Sequence, residues 1–145
     1  MDALVSDKLS WSPRVVDTYG YCGASMFSEA VRNGDLETVA VPSGVGRLEK
    51  PHEDSSQLKP RNALTPTKKL EYSLEMAEAV LLLHAYPGGV IVHDDIQLSQ
   101  FLLTADGKVK LNDFNRAEVM LWDEKDKEYC RYRNYPGNGD VSHGL

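Results

Sequence analysis

Two short β-type runs, Phe101-Leu102-Leu103-Thr104 and Lys108-Val109-Lys110-Leu111, are joined by Ala105-Asp106-Gly107. Asp-Gly between two such runs predicts a hairpin, because both residue types accept the left-handed backbone that a tight reversal needs. A hairpin returns the chain close to where it began. The segments before Phe101 and after Leu111 should therefore meet at one end of a small sheet. The residues that meet there are chemically loaded. His93-Asp94-Asp95 comes after an apolar run, Val90-Ile91-Val92, and Asn112-Asp113-Phe114 comes after the hairpin. Asp95 and Asp113 lie 18 residues apart. Two carboxylates brought together in this way suit a divalent cation, or a general base beside one.

Upstream of this unit the pattern predicts a strong helix. Thr65 is a natural N-cap with Pro66 at the first helical position, and Pro87-Gly88-Gly89 is the stop. Leu70, Leu74, Ala77, Leu81 and His84 recur at spacings of three and four, which predicts one buried stripe. Asp2 to Leu9 suits a short helix that ends at Ser10-Trp11-Ser12-Pro13. Arg14 to Tyr19 reads as a strand, Gly20 to Gly23 as a turn, and Ser25 to Val31 as a second, antiparallel strand. From Val41 to Arg61 prolines, glycines and serines accumulate, which predicts a long polar loop or insert. After Phe114 no clean periodicity remains, and the stretch from Asn134 to Asp140 reads as a loop.

Composition narrows the function classes. A chain of 145 residues has room for one ordinary domain or part of a larger one. Sixteen basic against 22 acidic residues give a net charge of −6, a poor match for a nucleic-acid backbone. Cys22 and Cys130 are too few for a disulfide scaffold or a thiolate zinc knuckle. The longest apolar run, Ala79 to Leu83, is too short to span a bilayer, and Met1-Asp2-Ala3-Leu4 has no signal-peptide pattern. The expectation is a soluble protein of a reducing compartment, cytoplasmic when Met1 is the true start. A missing upstream segment would leave localisation unknown.

The chemically loaded stretches carry a family resemblance. His93-Asp94-Asp95-Ile96-Gln97-Leu98-Ser99-Gln100, with the strand after it, resembles the catalytic loop of protein kinases. Asn112-Asp113-Phe114-Asn115 resembles the D-F-G region. Ser28-Glu29-Ala30-Val31-Arg32-Asn33-Gly34-Asp35-Leu36 resembles the gatekeeper, hinge and subsequent G-x-L stretch. Arg14 to Tyr21 resembles the strand leading into the hinge, and the Thr65–Ala85 helix the long helix before the catalytic loop. All five occur in order.

The resemblance implies an α+β chain with a partial protein-kinase-like fold, truncated at both ends. Residues 1–31 would be the end of the N-lobe sheet and the hinge, 39–64 a polar insert, and 65–145 part of the C-lobe. It further implies ATP and Mg2+ as cofactors and a protein hydroxyl as substrate. Asp95 would accept the substrate's proton, with Gln97 beside it where the family places a lysine. Asp113 and Gln100 would hold the metal. Ser28 would be the gatekeeper, Glu29 and Val31 would offer backbone groups to adenine, Asp35 would lie near the ribose, and Gln100 and Leu102 would line the nucleotide site. Tyr132 and Tyr135 would fall in the activation segment.

Several positions depart from the family pattern. Asp94 stands where an arginine is expected, Gln97 for a lysine, Gln100 for an asparagine and Asn115 for a glycine. No glycine-rich loop or V-A-I-K lysine precedes the hinge, and nothing like A-P-E comes after Phe114. These departures lower the expected activity and open a second reading, a non-catalytic pseudokinase or scaffold module. A third reading, a metal-dependent phosphohydrolase built on His93-Asp94, would need His52, His84 and Asp113 as further ligands.

Overall fold

The computed structural model describes residues 2–23, 25–41 and 62–130. The chain is mixed α+β, with helices packed on small antiparallel ribbons. Helix α1 (Asp2–Leu9) leads into the ribbon of β1 (Thr18–Cys22) and β2 (Ser25–Ser28). A short helix α2 (Leu36–Ala40) and the long helix α3 (Pro66–His84) come next. Strand β3 (Val90–Val92) pairs with β6 (Glu118–Met120), and β4 (Phe101–Leu103) with β5 (Val109–Leu111). The last ribbon is β7 (Trp122–Asp123) with β8 (Glu128–Tyr129).

The β4–β5 hairpin is the centre of the core. Its register pairs Phe101 with Leu111 and Leu103 with Val109, so alternation turns all four side chains inward. The reversal needs Gly107, whose φ is +76°. Around these four pack Val5 and Leu9 of α1, Val15 before β1, Leu36 of α2, Ala79 and Leu83 of α3, Ile91 of β3, and Phe114.

The Arg14–Tyr19 run is not one strand. Val15 bridges Leu111 in parallel, with Val16 N donating to Leu111 O at 3.0 Å, and the chain then breaks away at Asp17. Ser10 Oγ, accepting Thr18 N at 2.7 Å, starts β1 only at Thr18. Strand β1 then bulges at Tyr19, between the Thr18–Ser28 and Gly20–Phe27 pairs, and runs to Cys22. The turn is thus confined to the end of the predicted Gly20–Gly23 stretch.

Helix α3 has the expected ends. Thr65 Oγ1 accepts Lys68 N at 3.2 Å, Pro66 opens the first turn, and the chain leaves after His84. Gly89, at φ +124°, lets the chain pass Met120, whose carbonyl a side chain at this position would meet at 2.7 Å. The buried face, however, is not the leucine stripe. Tyr72, Glu75, Ala79 and Leu83 face the core, while Leu70, Leu74 and Leu81 are 72%, 60% and 64% exposed. At roughly 100° per residue the two stripes lie on opposite sides of the helix.

The polar insert lies largely outside the described residues, as do Tyr132 and Tyr135. Its two ends are clasped: Asn62 Nδ2 donates to Ala40 O at 2.9 Å. Among the described residues no helix is long and apolar enough to cross a membrane.

Candidate functional site

The 93–95 loop leaves β3 directly and is fastened to the segment after the hairpin. His93 is buried, and its Nε2 lies 3.0 Å from Asn112 O, so that nitrogen is assigned the proton. Its ring lies against Phe114, with centroids 5.2 Å apart. The Nδ1 atom is buried with no partner among the described residues.

Asp95 presents a carboxylate held at both oxygens. Gln97 Nε2 donates to Oδ1 at 3.1 Å and Gln100 Nε2 to Oδ2 at 2.9 Å. Gln100 is buried in a single 3₁₀ turn, Leu98–Gln100, whose bond from Gln100 N to Gln97 O measures 3.0 Å. The Gln100 carbonyl in turn accepts Asn112 N at 2.9 Å. One residue therefore links the Asp95 carboxylate to the backbone just before Asp113. With its amide nitrogen committed to Asp95, Gln100 has its side-chain oxygen left to accept or to ligate.

Asp94 and Asp113 both adopt left-handed backbone, at φ +60° and +62°. Aspartate tolerates this region better than most residues. Asn115 is not in that region. Asp94 is paired with Arg116 Nη2 at 2.8 Å.

The remaining candidates lie along two further stretches that the hairpin gathers. Ser28 closes β2 and is exposed. The Glu29 amide donates to Asp17 O at 2.8 Å, so what Glu29 can offer a ligand from its backbone is the carbonyl. Its carboxylate accepts Lys110 Nζ at 2.6 Å, and Lys110 also reaches Asp17 Oδ2 at 3.3 Å. Burial disfavours the Lys110 charge, but the hydrogen bonds it donates to Glu29 and Asp17 outweigh this and hold the pKa above the ordinary lysine value. Val31 is half-buried in the next loop. Asp35 caps α2, accepting Thr38 N at 2.8 Å, and forms an antiparallel bridge with Leu102. Leu103 N donates to Gly34 O at 2.9 Å. The hairpin thus carries the 28–35 stretch on β4 and β5, and Asp95, Gln97 and Gln100 lie immediately before it in the chain.

Two participants had no signal in the sequence. Lys110 reads as a solvated residue between Val109 and Leu111, and Arg116 as an ordinary loop cation. Each is defined by a partner 22 or more residues away.

Among the described residues no three His, Cys, Asp or Glu side chains gather as a metal cage. The phosphohydrolase reading therefore has no ligand cluster there, and His52 lies outside the described residues. Two surface depressions, about 370 Å³ at Tyr86, Trp122 and Tyr129 and about 500 Å³ along Met76, Val80, Leu81 and Ile96, are not lined by Asp95 or Asp113.

Comparison with known proteins adds a family direction. A segment of 62 residues is 34% identical to calmodulin-binding receptor-like cytoplasmic kinase 1 of Arabidopsis thaliana, covering 43% of this chain and 13% of that protein. A segment of 81 residues is 31% identical to serine/threonine-protein kinase 12 of the same plant, covering 52% of this chain and 17% of that protein. Each match thus spans less than a fifth of the relative's length. No family model matches the chain. These partial matches support a kinase-like relationship for this chain.

Proposed function

We propose that the chain carries the hinge and catalytic-loop portion of a protein-kinase-like fold, with residues 1–31, 39–64 and 65–145 as N-lobe end, insert and partial C-lobe. It binds ATP with Mg2+ and transfers a phosphoryl group slowly to a protein hydroxyl. The observation that carries this reading is Gln100, which joins the Asp95 carboxylate by its side chain to Asn112 by its backbone. A base and a metal-holding carboxylate would need such a link to act on one phosphoryl group.

Asp95 takes the proton of the attacking hydroxyl, and its two amide donors fix the carboxylate while leaving lone pairs free. Asp113 and the Gln100 side-chain oxygen would hold Mg2+. One carboxylate and one amide oxygen are too few for a protein-only cage, but they fit an ion that keeps waters and nucleotide oxygens in its shell. That ion would neutralise charge on the phosphates. The Glu29 carbonyl and Val31 receive adenine, Ser28 leaves space beside it, Asp35 meets the ribose, and Leu102 covers the base. Gln97 supplies an amide where a cation would steady the transferring group, which is why transfer is slow.

That neutral Gln97 amide, 3.1 Å from Asp95, favours the second reading, a non-catalytic scaffold. Thermal shift with Mg-ATP, and then phosphotransfer to a generic protein substrate, separates the two. We expect a rise in Tm and slow transfer that Asp95→Ala lowers by about 10²-fold or more. Transfer that survives Asp95→Ala removes Asp95 as the base. No shift and no transfer leaves the scaffold.

A further inference from the structure

We propose that the Asp94–Arg116 pair is a built-in latch that docks the 113–117 turn on the 93–95 loop without any added phosphoryl group. The inference rests on the kinase-like reading of these two segments and assigns how that site is regulated.

The turn is bracketed at two ends. At one end His93 Nε2 donates to Asn112 O at 3.0 Å and the His93 ring meets Phe114. At the other, Val92 pairs with Glu118 where β3 joins β6. Between them the backbone closes on itself, with Ala117 N donating to Phe114 O at 3.0 Å. Arg116 then reaches back across the turn to Asp94 Oδ2 at 2.8 Å. It is the ion pair between these two segments among the described residues.

Two features make this pair more than a passing surface contact. The Asp94 side chain is 16% exposed and Arg116 is 41% exposed, so the carboxylate is fixed in the fold while the guanidinium reaches it from the solvent side, where salt can weaken the pair. Asp94, one partner in the contact, and Asp113, three residues before the other, both hold left-handed backbone, which surrounding contacts help to fix. Sequence alone shows Asp94 as an anion beside the site base. An anion there would repel a phosphoryl group arriving on a flexible segment. The chain instead supplies the cation from the turn itself. The turn is docked as synthesised, and phosphorylation is not the event that docks it.

Hydrogen exchange of the 113–119 amides tests this on the full chain. Asp94→Asn keeps a residue that tolerates the left-handed backbone while removing the charge, and Arg116→Gln removes the other partner. Each should speed exchange of these amides about threefold at low salt, with a smaller effect at high salt. Arg116→Lys should restore protection, because it keeps the charge. The amides of Val109–Leu111 should not change. Phosphatase treatment of the unmutated chain should leave all rates as they were.

Unchanged exchange in Asp94→Asn and Arg116→Gln overturns the latch. Acceleration that spreads equally to Val109–Leu111 overturns it as a local device, since the pair would then be supporting the whole fold. Release of the turn by phosphatase overturns its independence from phosphate. The readout needs no nucleotide. A chain that shows the latch but no Mg-ATP shift refutes the kinase-like activity and keeps the docking; the reverse pattern refutes the latch alone.

Discussion

The inner and outer faces of α3 carry comparable apolar side chains, yet only one of them is covered. The outer face holds Leu70, Leu74 and Leu81, all exposed, and by hydropathy is the better candidate for burial. The inner face holds Tyr72, Ala79, Leu83 and a glutamate, Glu75, that is only 5% exposed. The difference lies in what the hairpin offers. Val109 N is buried, and Glu75 Oε2 accepts from it at 2.8 Å. Glu75 Oε1 meets Lys108 Nζ at 3.1 Å and Arg14 Nη1 at 3.2 Å. A face that satisfies a buried amide and two cations is preferred over one that could bury only leucine, because an unsatisfied buried donor is costly.

The sharpest break of this comparison is Glu75→Ala. It strands the buried Val109 amide and takes one partner from Lys108 and one from Arg14, which keeps Glu78 at 2.7 Å, so stability should fall by about 3 kcal/mol, read as a lower urea midpoint. Leu83→Ala on the same face should cost about 3 kcal/mol through a cavity, whereas Leu81→Ala on the outer face should stay within about 0.5 kcal/mol. Equal losses for the two leucines would mean that the outer face is also covered.

Acid provides a subtler test. Burial opposes ionisation of Glu75, but the Val109 amide, Lys108 and Arg14 outweigh it and hold its pKa below the ordinary glutamate value. A depressed folded-state pKa contributes stability that is present above the unfolded value. That contribution is lost as pH falls below about 4.3 and through the folded value. Stability should decline over that acid range. Glu75→Gln should flatten the decline; an unchanged acid limb would assign it to other carboxylates.

The same contrast explains which features are legible in the residues alone. The hairpin is legible because alternation and Asp106-Gly107 are local signals. The ends of α3 are legible because Thr65, Pro66 and the Pro87-Gly88-Gly89 stop act within one turn. Its orientation is not, because the choice rests on Glu75 meeting Val109, 34 residues away. Helix α2 escapes sequence reading because it is only five residues long, and its side-chain cap, Asp35, falls inside the hinge-like stretch. Strands β6, β7 and β8 are too short to show a period. In the candidate site, the closeness of Asp95, Gln97 and Gln100 comes from a sequence separation of at most five. Lys110 and Arg116 become meaningful only once the hairpin and the turn bring carboxylates to them.

The clasp between Asn62 and Ala40 bears on how this chain can be altered. The chain on either side of the insert is held together at one point, so a longer insert mainly adds to the cost of closing a loop between Ala40 and Asn62. Loop closure grows only with the logarithm of length, and doubling the number of residues there would cost about 0.6 kcal/mol. That junction is therefore a natural port, a position at which foreign sequence or a reporter domain could be threaded into the protein while α2 and α3 keep their places.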